Sequence, residues 1–221
     1  MKSWWRQQRG FVMFLLLFGL FRTAVADWNP VPTGSMRPTI VEGDVVLVNR
    51  LAYQLKLPLT DVVLAQWQGP ERGDIVTFGS PADGTRLLKR VVGLPGDRVE
   101  LQGGQLWING QAQTLEEAEL VEEPLPSGAH VPAWRAQEQL GARRHAVQGL
   151  PTVPALRDGS WTLGEGQYFM LGDNRDNSHD SRYFGPVPRA LLIGRVQRLL
   201  VSGDPEAYYL PRLGRLLKPL S

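Results

Sequence analysis

Residues 87–110 read LLKRVVGLPGDRVELQGGQLWING, and this stretch decides the fold class. Leu87 to Val92 has the length and apolar content of a strand. Gly93-Leu94-Pro95-Gly96-Asp97 follows as a tight turn, with Pro and Gly at type II positions. Val99 and Leu101 then alternate with polar residues into Gly103-Gly104, and Leu106 and Ile108 alternate back to Asn109-Gly110. A period of two on both sides of a Gly-Gly step is a β-hairpin, here followed by a second turn.

The same grammar extends outward. Upstream, Val45 to Val48 is a short strand bounded by Gly43-Asp44 and Asn49, and Gly73-Asp74 opens another over Ile75 to Phe78, closed by Gly79-Ser80-Pro81. Leu51 to Leu59 is apolar, and its sequence does not decide between helix and loop. Downstream, Tyr168 to Leu171 and Leu191 to Val201 are strand-like. Abundant Gly (24) and Pro (17) favour a turn-rich β protein over a helical bundle. Residues 111 to about 160 break the pattern. They carry Glu116, Glu117, Glu119, Glu122 and Glu123, scattered prolines and Arg143-Arg144, with no sustained apolar period. They are expected to form an insertion or smaller subdomain, partly irregular, over approximately 111–165.

With 221 residues, 43% hydrophobic and 21% charged, the chain has the composition of one globular domain of ordinary size. The net charge is only +2 and no long Lys/Arg block occurs, which argues against a nucleic-acid partner. The absence of cysteine excludes disulfides, a thiol nucleophile and thiolate metal sites.

At the N-terminus, Lys2, Arg6 and Arg9 precede an unbroken apolar run, Phe11 to Phe21, and Arg22 and Thr23-Ala24-Val25-Ala26-Asp27-Trp28 follow. One reading is a cleavable leader with Ala24-x-Ala26 as its cut site. The other is an uncleaved anchor over 11–28. The run is short of the roughly 20 residues a span requires, unless Arg22 snorkels to the headgroups and Trp4, Trp5 and Trp28 sit at the interfaces. Both readings put residues 1–10 in the cytoplasm and 29–221 outside. Composition alone favours the leader.

Three elements carry chemistry. Ser35 lies in Pro32-Thr33-Gly34-Ser35-Met36-Arg37-Pro38-Thr39, a turn in which a serine can act as nucleophile with its own N–H facing an oxyanion. Most Gly-Ser turns only reverse the chain, and a nucleophile needs a base. Of the three histidines, His130 and His145 fall in the insertion and read as solvated, and His179 reads as a surface residue. Lys89 is the better base, because strand alternation puts it on one face with Leu87 and Val91. Burial there lowers a lysine pKa, whereas an exposed cluster with Arg86 and Arg90 would not. The third element is Gly172-Asp173-Asn174-Arg175-Asp176-Asn177-Ser178-His179-Asp180-Ser181-Arg182, a polar segment between two apolar strands. Its mixed charges suit an internally bonded network in which Asp180 pairs with Arg182.

Gly34-Ser35-Met36-x-Pro38-Thr39, Arg72-Gly73-Asp74-Ile75-Val76-x-Phe78, Lys89 to Asp97, and Gly172 to Arg182 together closely resemble, in order, the boxes of bacterial type I signal peptidases. The resemblance spans residues 33–110 and 168–200 and leaves the insertion unmatched. It implies a mainly β fold, an antiparallel, barrel-like sheet with an inserted subdomain, preceded by one N-terminal transmembrane helix. It also implies a serine endopeptidase in which Ser35 attacks, Lys89 takes the proton, and Ser178 orients the Lys89 amine, supported by Asp180 and Arg182. The Ser35 N–H and the Thr33 side chain form the oxyanion hole; many members have serine at the latter position. Members cut exported preproteins after small residues at −1 and −3 and use no metal or organic cofactor. Membrane lipid is the other partner. By this resemblance the N-terminal segment is an uncleaved single-pass anchor in the bacterial inner membrane, with the catalytic domain outside. A pilus or conjugative-transfer peptidase with one substrate shares the same motifs. A self-cleaving repressor shares the dyad but needs a DNA-binding domain where the apolar run stands. A secreted, non-enzymatic β-domain is the remaining alternative.

Overall fold

The computed structural model describes residues 2–60, 62–124, 129–151 and 158–220, with side chains from Gln8 onward. The side chains of Lys2, Trp4, Trp5 and Arg6 lie outside the described set. A helix, α1 (Lys2–Ala24), opens the chain. Then come β1 (Ala26–Pro30), β2 (Asp44–Asn49), the hairpin β3 (Gln54–Lys56) and β4 (Val63–Gln66), β5 (Ile75–Gly79) and β6 (Arg86–Gly93). The hairpin read from the sequence is β7 (Arg98–Gln102) and β8 (Gln105–Ile108), with β9 (Gln111–Ala112) beyond the Asn109-Gly110 turn. β10 (Leu115–Pro124), β11 (His130–Leu140) and β12 (Arg143–Gly149) follow, then β13 (Gly159–Thr162) and β14 (Gln167–Leu171). The short α2 (Ser181–Phe184), β15 (Val187–Pro188), the long β16 (Leu192–Asp204) and β17 (Leu210–Pro211) complete the order.

The main sheet runs β1-β2-β16-β5-β6-β14-β15, with β17 added on β16, and its named pairings are antiparallel. The two ends of that path are not paired, so the sheet is open rather than a closed barrel. The fold is mainly β, as expected. The unsettled stretch at Leu51 to Leu59 contributes the first strand of the β3–β4 hairpin.

β6 and β14 are buried on both faces. Along β14, Phe169 and Leu171 join one apolar cluster while Tyr168 and Met170 join another. Along β6, Val92 belongs to the first cluster and Val91 to the second. Each such side chain contributes about 1.5–3 kcal/mol on burial. Lys89 and Arg90 sit in this doubly covered strand, 3% and 1% exposed.

The insertion is more regular than its sequence suggests. β10, β11 and β12 form a three-stranded antiparallel sheet. β10 is almost wholly exposed, an edge strand with acids on both faces, so it shows no alternation. β11 does alternate, but one of its inward positions is Glu138, which hides the period. The expected boundary at 165 also shifts: β13 pairs with β7 and belongs to the hairpin sheet.

The N-terminal segment divides differently from one span over 11–28. The helix stops at Ala24, and Ala26 to Trp28 enter the main sheet opposite Asn49 to Leu47. Arg22 is exposed but bonds back to the sheet: its Nε donates to Asp27 at 3.1 Å and its guanidinium lies 4.3 Å over the Trp28 ring. Among the described residues no helix is long and apolar enough to cross a membrane. The apolar side chains of α1 are nonetheless exposed, Phe11, Met13 and Leu16 among them.

Candidate active site

The turn between β1 and β2 holds Ser35. Met36 and Ile40 are fully buried beneath it in a cluster with Val46, Val48 and Leu199, which fixes the turn to the sheet. Ile40 N–H bonds the Met36 carbonyl at 2.9 Å, and Arg37 N–H bonds the Gly34 carbonyl at 3.1 Å. A Cβ on Gly34 would meet Glu42 Oε1 at 2.7 Å and Arg37 Nε at 3.0 Å, so the glycine makes room for that ion pair.

Lys89 reaches this turn from β6. Its Nζ lies 2.5 Å from Ser35 Oγ, and the residue is 3% exposed. Arg86 is exposed, but Lys89 and Arg90 are buried, so no exposed basic cluster forms. Burial lowers the Lys89 pKa to about 8, with Asp180 and Asp173 pulling the other way and Arg182 adding to the depression. A neutral amine is then available near neutral pH, and the same 2.5 Å line serves O–H···N once the proton has gone.

The 172–182 segment is buried and internally bonded. Asp180, with no exposed surface, accepts from Gly172 N–H at 3.0 Å, Ser178 Oγ at 2.7 Å and both Nε and Nη2 of Arg182 at 2.7 Å. Arg182 also donates to the Arg175 carbonyl at 2.7 Å. The Asp180–Arg182 pairing therefore exists as read. Ser178 stands beside the nucleophile, since a Cβ on Gly172 would meet Ser178 Oγ at 2.3 Å and the Ser35 carbonyl at 2.4 Å. The described hydrogen bonds do not join Ser178 to Lys89; its hydroxyl is turned to Asp180. Thr33 is exposed, and its hydroxyl makes no hydrogen bond among the described residues. His179 is exposed and stacked on Tyr183 with ring centroids 4.9 Å apart.

Several residues without an assigned role complete the site. Arg90 grips Asp173 through two bonds of 2.8 and 2.7 Å, and Thr39 donates to the same carboxylate at 2.6 Å. This ties β6, the serine turn and the polar segment together. Burial would push the Asp173 carboxyl up, but the Arg90 guanidinium outweighs it and holds the pKa below the usual range. The insertion contributes as well. Arg37 bonds Glu123 and the Pro124 carbonyl of β10, and Arg175 bonds both Glu138 oxygens on β11. His145, expected in solvent, is buried, with Nε2 3.3 Å from Glu138 and 3.8 Å from Asp173. Burial lowers its pKa and keeps it neutral at pH 7. The available sequence signal was a set of arginines and acids inside apolar strands, where unpaired charge is not tolerated.

The Glu138 carboxyl is held at about 2: burial raises it, and Arg175 and His145 more than reverse that. An acid with a depressed folded pKa stabilises the fold above its unfolded value, and that contribution fades as pH falls from about 4.5 toward about 2. Glu138→Gln is expected to lose about 3 kcal/mol at pH 7, because Arg175 is left buried without its charge partner. Urea midpoints of the variant and wild type should converge near pH 2. A constant gap across that range would refute the assignment.

The chain matches a family model described as signal peptidase, peptidase S26, over residues 4–201. It is 36% identical to the signal peptidase I of Pseudomonas fluorescens and 35% identical to that of Pseudomonas aeruginosa. Each alignment takes in 93% of this chain and 75% of the relative. A probable signal peptidase I-2 of Synechocystis is 30% identical over 87% of this chain and 71% of its own length. Among solved structures, a signal peptidase I from Enterococcus faecalis matches at 34% identity and a TM-score of 0.37, over 58% of this chain and 97% of that one. With the family model matched along nearly the whole sequence and relatives above one-third identity, the chain belongs to the signal peptidases of peptidase family S26.

Proposed function

We propose that this chain is a membrane-bound endopeptidase that removes signal peptides from exported preproteins, with Ser35 as nucleophile and Lys89 as general base. The observation that carries this reading is the 2.5 Å approach of a buried, pKa-lowered lysine to the hydroxyl of a serine in a rigid turn. Ser35 Oγ attacks the scissile carbonyl and its proton passes to Lys89 Nζ. The carbonyl oxygen becomes an oxyanion facing the Ser35 N–H and the Thr33 hydroxyl. Lys89 then gives its proton to the leaving amine, and water, activated by the same amine, releases the acyl-enzyme. Small residues at −1 and −3 are the ones that shallow apolar pockets admit. Asp180 and Arg182 fix the surroundings of Lys89, and Ser178, whose hydroxyl donates to Asp180, is the hydroxyl that orients its amine.

Incubating the detergent-solubilised protein with a purified preprotein, followed by mass spectrometry of the products, tests the reading. A single cut after the small −1 residue, absent in Ser35→Ala, is the expected result. Equal cleavage by Ser35→Ala would refute it.

Thr33 bears on the oxyanion hole. Its hydroxyl, two residues before the nucleophile and without a partner among the described residues, motivates an expected loss of about 10²–10³ in kcat for Thr33→Val. Thr33→Ser should keep most of the activity. Wild-type kcat in Thr33→Val would show that this side chain donates nothing to the transition state.

The exposed apolar surface of α1, preceded by basic residues, supports lipid as its covering and an N-terminus on the cytoplasmic side. In this reading α1 is retained in the mature enzyme as its anchor in the bacterial inner membrane, and the catalytic domain, from residue 29 onward, faces outward. Placement of Ala26 and the buried Asp27 in β1 argues against removal after Ala26. Mature protein recovered from membranes should begin at Met1. Soluble, active protein beginning at Asp27 would show that α1 is a leader.

A further inference from the structure

Asn174 touches the serine turn twice. Its backbone N–H donates to the Ser35 carbonyl at 3.1 Å, and its side-chain Nδ2 donates to the Gly34 carbonyl at 3.0 Å. The residue is 2% exposed. The Gly34 carbonyl and the Ser35 N–H belong to one peptide unit. That unit is planar and trans, so the two groups point in opposite directions along a shared plane. The carbonyl also accepts the Arg37 N–H at 3.1 Å, and the side-chain grip from Asn174, added to that local bond, sets where the Ser35 N–H points. The Ser35 N–H itself donates to no described group.

We propose that Asn174 is a positioning residue for the oxyanion hole: by holding the Gly34 carbonyl it aims the Ser35 N–H at the substrate oxygen. This rests on the serine-protease reading above. A hydrogen bond accepted at the carbonyl also polarises the peptide and strengthens the N–H as a donor. The side-chain amide holds this position although its Oδ1 is buried with no partner among the described residues. An orphaned acceptor costs stability, so this residue is not the choice that packing alone would favour.

The insertion backs the clamp. Gln148 on β12 donates its N–H to the Asp173 carbonyl at 2.9 Å and accepts from Arg175 N–H at 2.8 Å, pinning the residues on either side of Asn174. Gly172 completes the fit, because any side chain there would strike the Ser35 carbonyl. The three-stranded insertion thus reaches the serine turn through the backbone bonds of Gln148 as well as through the Arg37 bonds to β10, which gives it a role in catalysis by placement.

Asn174→Ala and Asn174→Asp both remove the donor, the second at nearly constant size. Misaiming a donor that remains present should lower kcat by roughly 10- to 100-fold while KM stays within about twofold. Affinity for a substrate-derived peptide aldehyde, whose carbonyl adds Ser35 Oγ to form a tetrahedral adduct, should fall by the same factor as kcat. Affinity for an uncleavable analogue with a methylene in place of the scissile carbonyl should not change. A folded variant with wild-type kcat would overturn the proposal, as would equal weakening of both ligands, the mark of a merely structural residue. Should neither variant fold, the crystal structure of the wild-type aldehyde adduct decides. The adduct oxygen is expected within hydrogen-bond distance of Ser35 N, with Nδ2 still on the Gly34 carbonyl. An adduct in which that carbonyl has left Asn174 overturns it. Ser35→Ala separates the two levels: if it still cleaves, the serine mechanism itself fails. If it is inert while the Asn174 variants are normal, only the clamp does.

Discussion

Lys89→Arg is expected to lower kcat/KM by about 10³–10⁴, the upper end of what a general base contributes. Guanidinium stays protonated throughout the working range and cannot accept the Ser35 proton. In the wild type, activity should rise with pH through about 8, because only the neutral amine is a base. The rate should then level off well below the ordinary lysine value of 10.5. The same depression has a stability consequence. A lysine whose folded pKa is lowered disfavours the fold wherever the amine is charged in the unfolded chain. That penalty is full below about pH 8 and vanishes as pH passes 10.5. Moving from 10.5 to about 8 corresponds to roughly 3 kcal/mol. Lys89→Met should therefore be inert yet more stable than the wild type at pH 7, by an amount that shrinks toward pH 10.5. His179→Ala should cleave normally, since that ring is exposed and stacked on Tyr183. Normal cleavage by Lys89→Arg together with an inactive His179→Ala would mean that histidine is the base.

Asp180→Ala is expected to cost about 3–5 kcal/mol, because it leaves the Arg182 guanidinium buried without a counter-charge and strips an acceptor from Gly172 and Ser178. That is a large share of the stability of a domain this size, and a drop of many degrees in Tm should follow. Asp180→Asn keeps the shape and separates folding from electrostatics. Asp180 is the leading influence that raises the Lys89 pKa against burial. Removing its charge should therefore move the acid limb of the pH–rate profile to lower pH. An unmoved limb in folded Asp180→Asn would show that this carboxylate does not act on the base.

Much of the frame was legible in the chain. The short apolar runs at Val45–Val48 and Ile75–Phe78 and the alternation over Val99–Ile108 became β2, β5 and the β7–β8 hairpin, since apolar runs, alternation and Gly-rich turns are local properties. Lys89 shared a strand face with Leu87 and Val91, but an exposed basic cluster with Arg86 and Arg90 explained it as well until the strand was seen to be buried on both faces. The insertion was harder to read. Its edge strand β10 is charged on both faces, and in β11 the buried position at Glu138 is polar because Arg175, distant in sequence, supplies the compensating charge. His145 read as solvated for the same reason: the groups that enclose it, Glu138 and Asp173, come from other elements.

The sequence by itself pointed to a mainly β fold, because side-chain type and short-range period are written residue by residue, and its resemblance to the signal-peptidase boxes pointed to Ser35, Lys89, Asp180 and Arg182. Tertiary structure alone decided that Lys89 lies 2.5 Å from Ser35 with a pKa near 8, and that Arg90 closes on Asp173. It alone decided that Asn174 holds the serine turn and that Ser178 faces Asp180. Each of these depends on which distant segments share a buried volume. There, desolvation and the geometry of hydrogen bonds set a group's charge and direction, and neither is a property of any one stretch of chain.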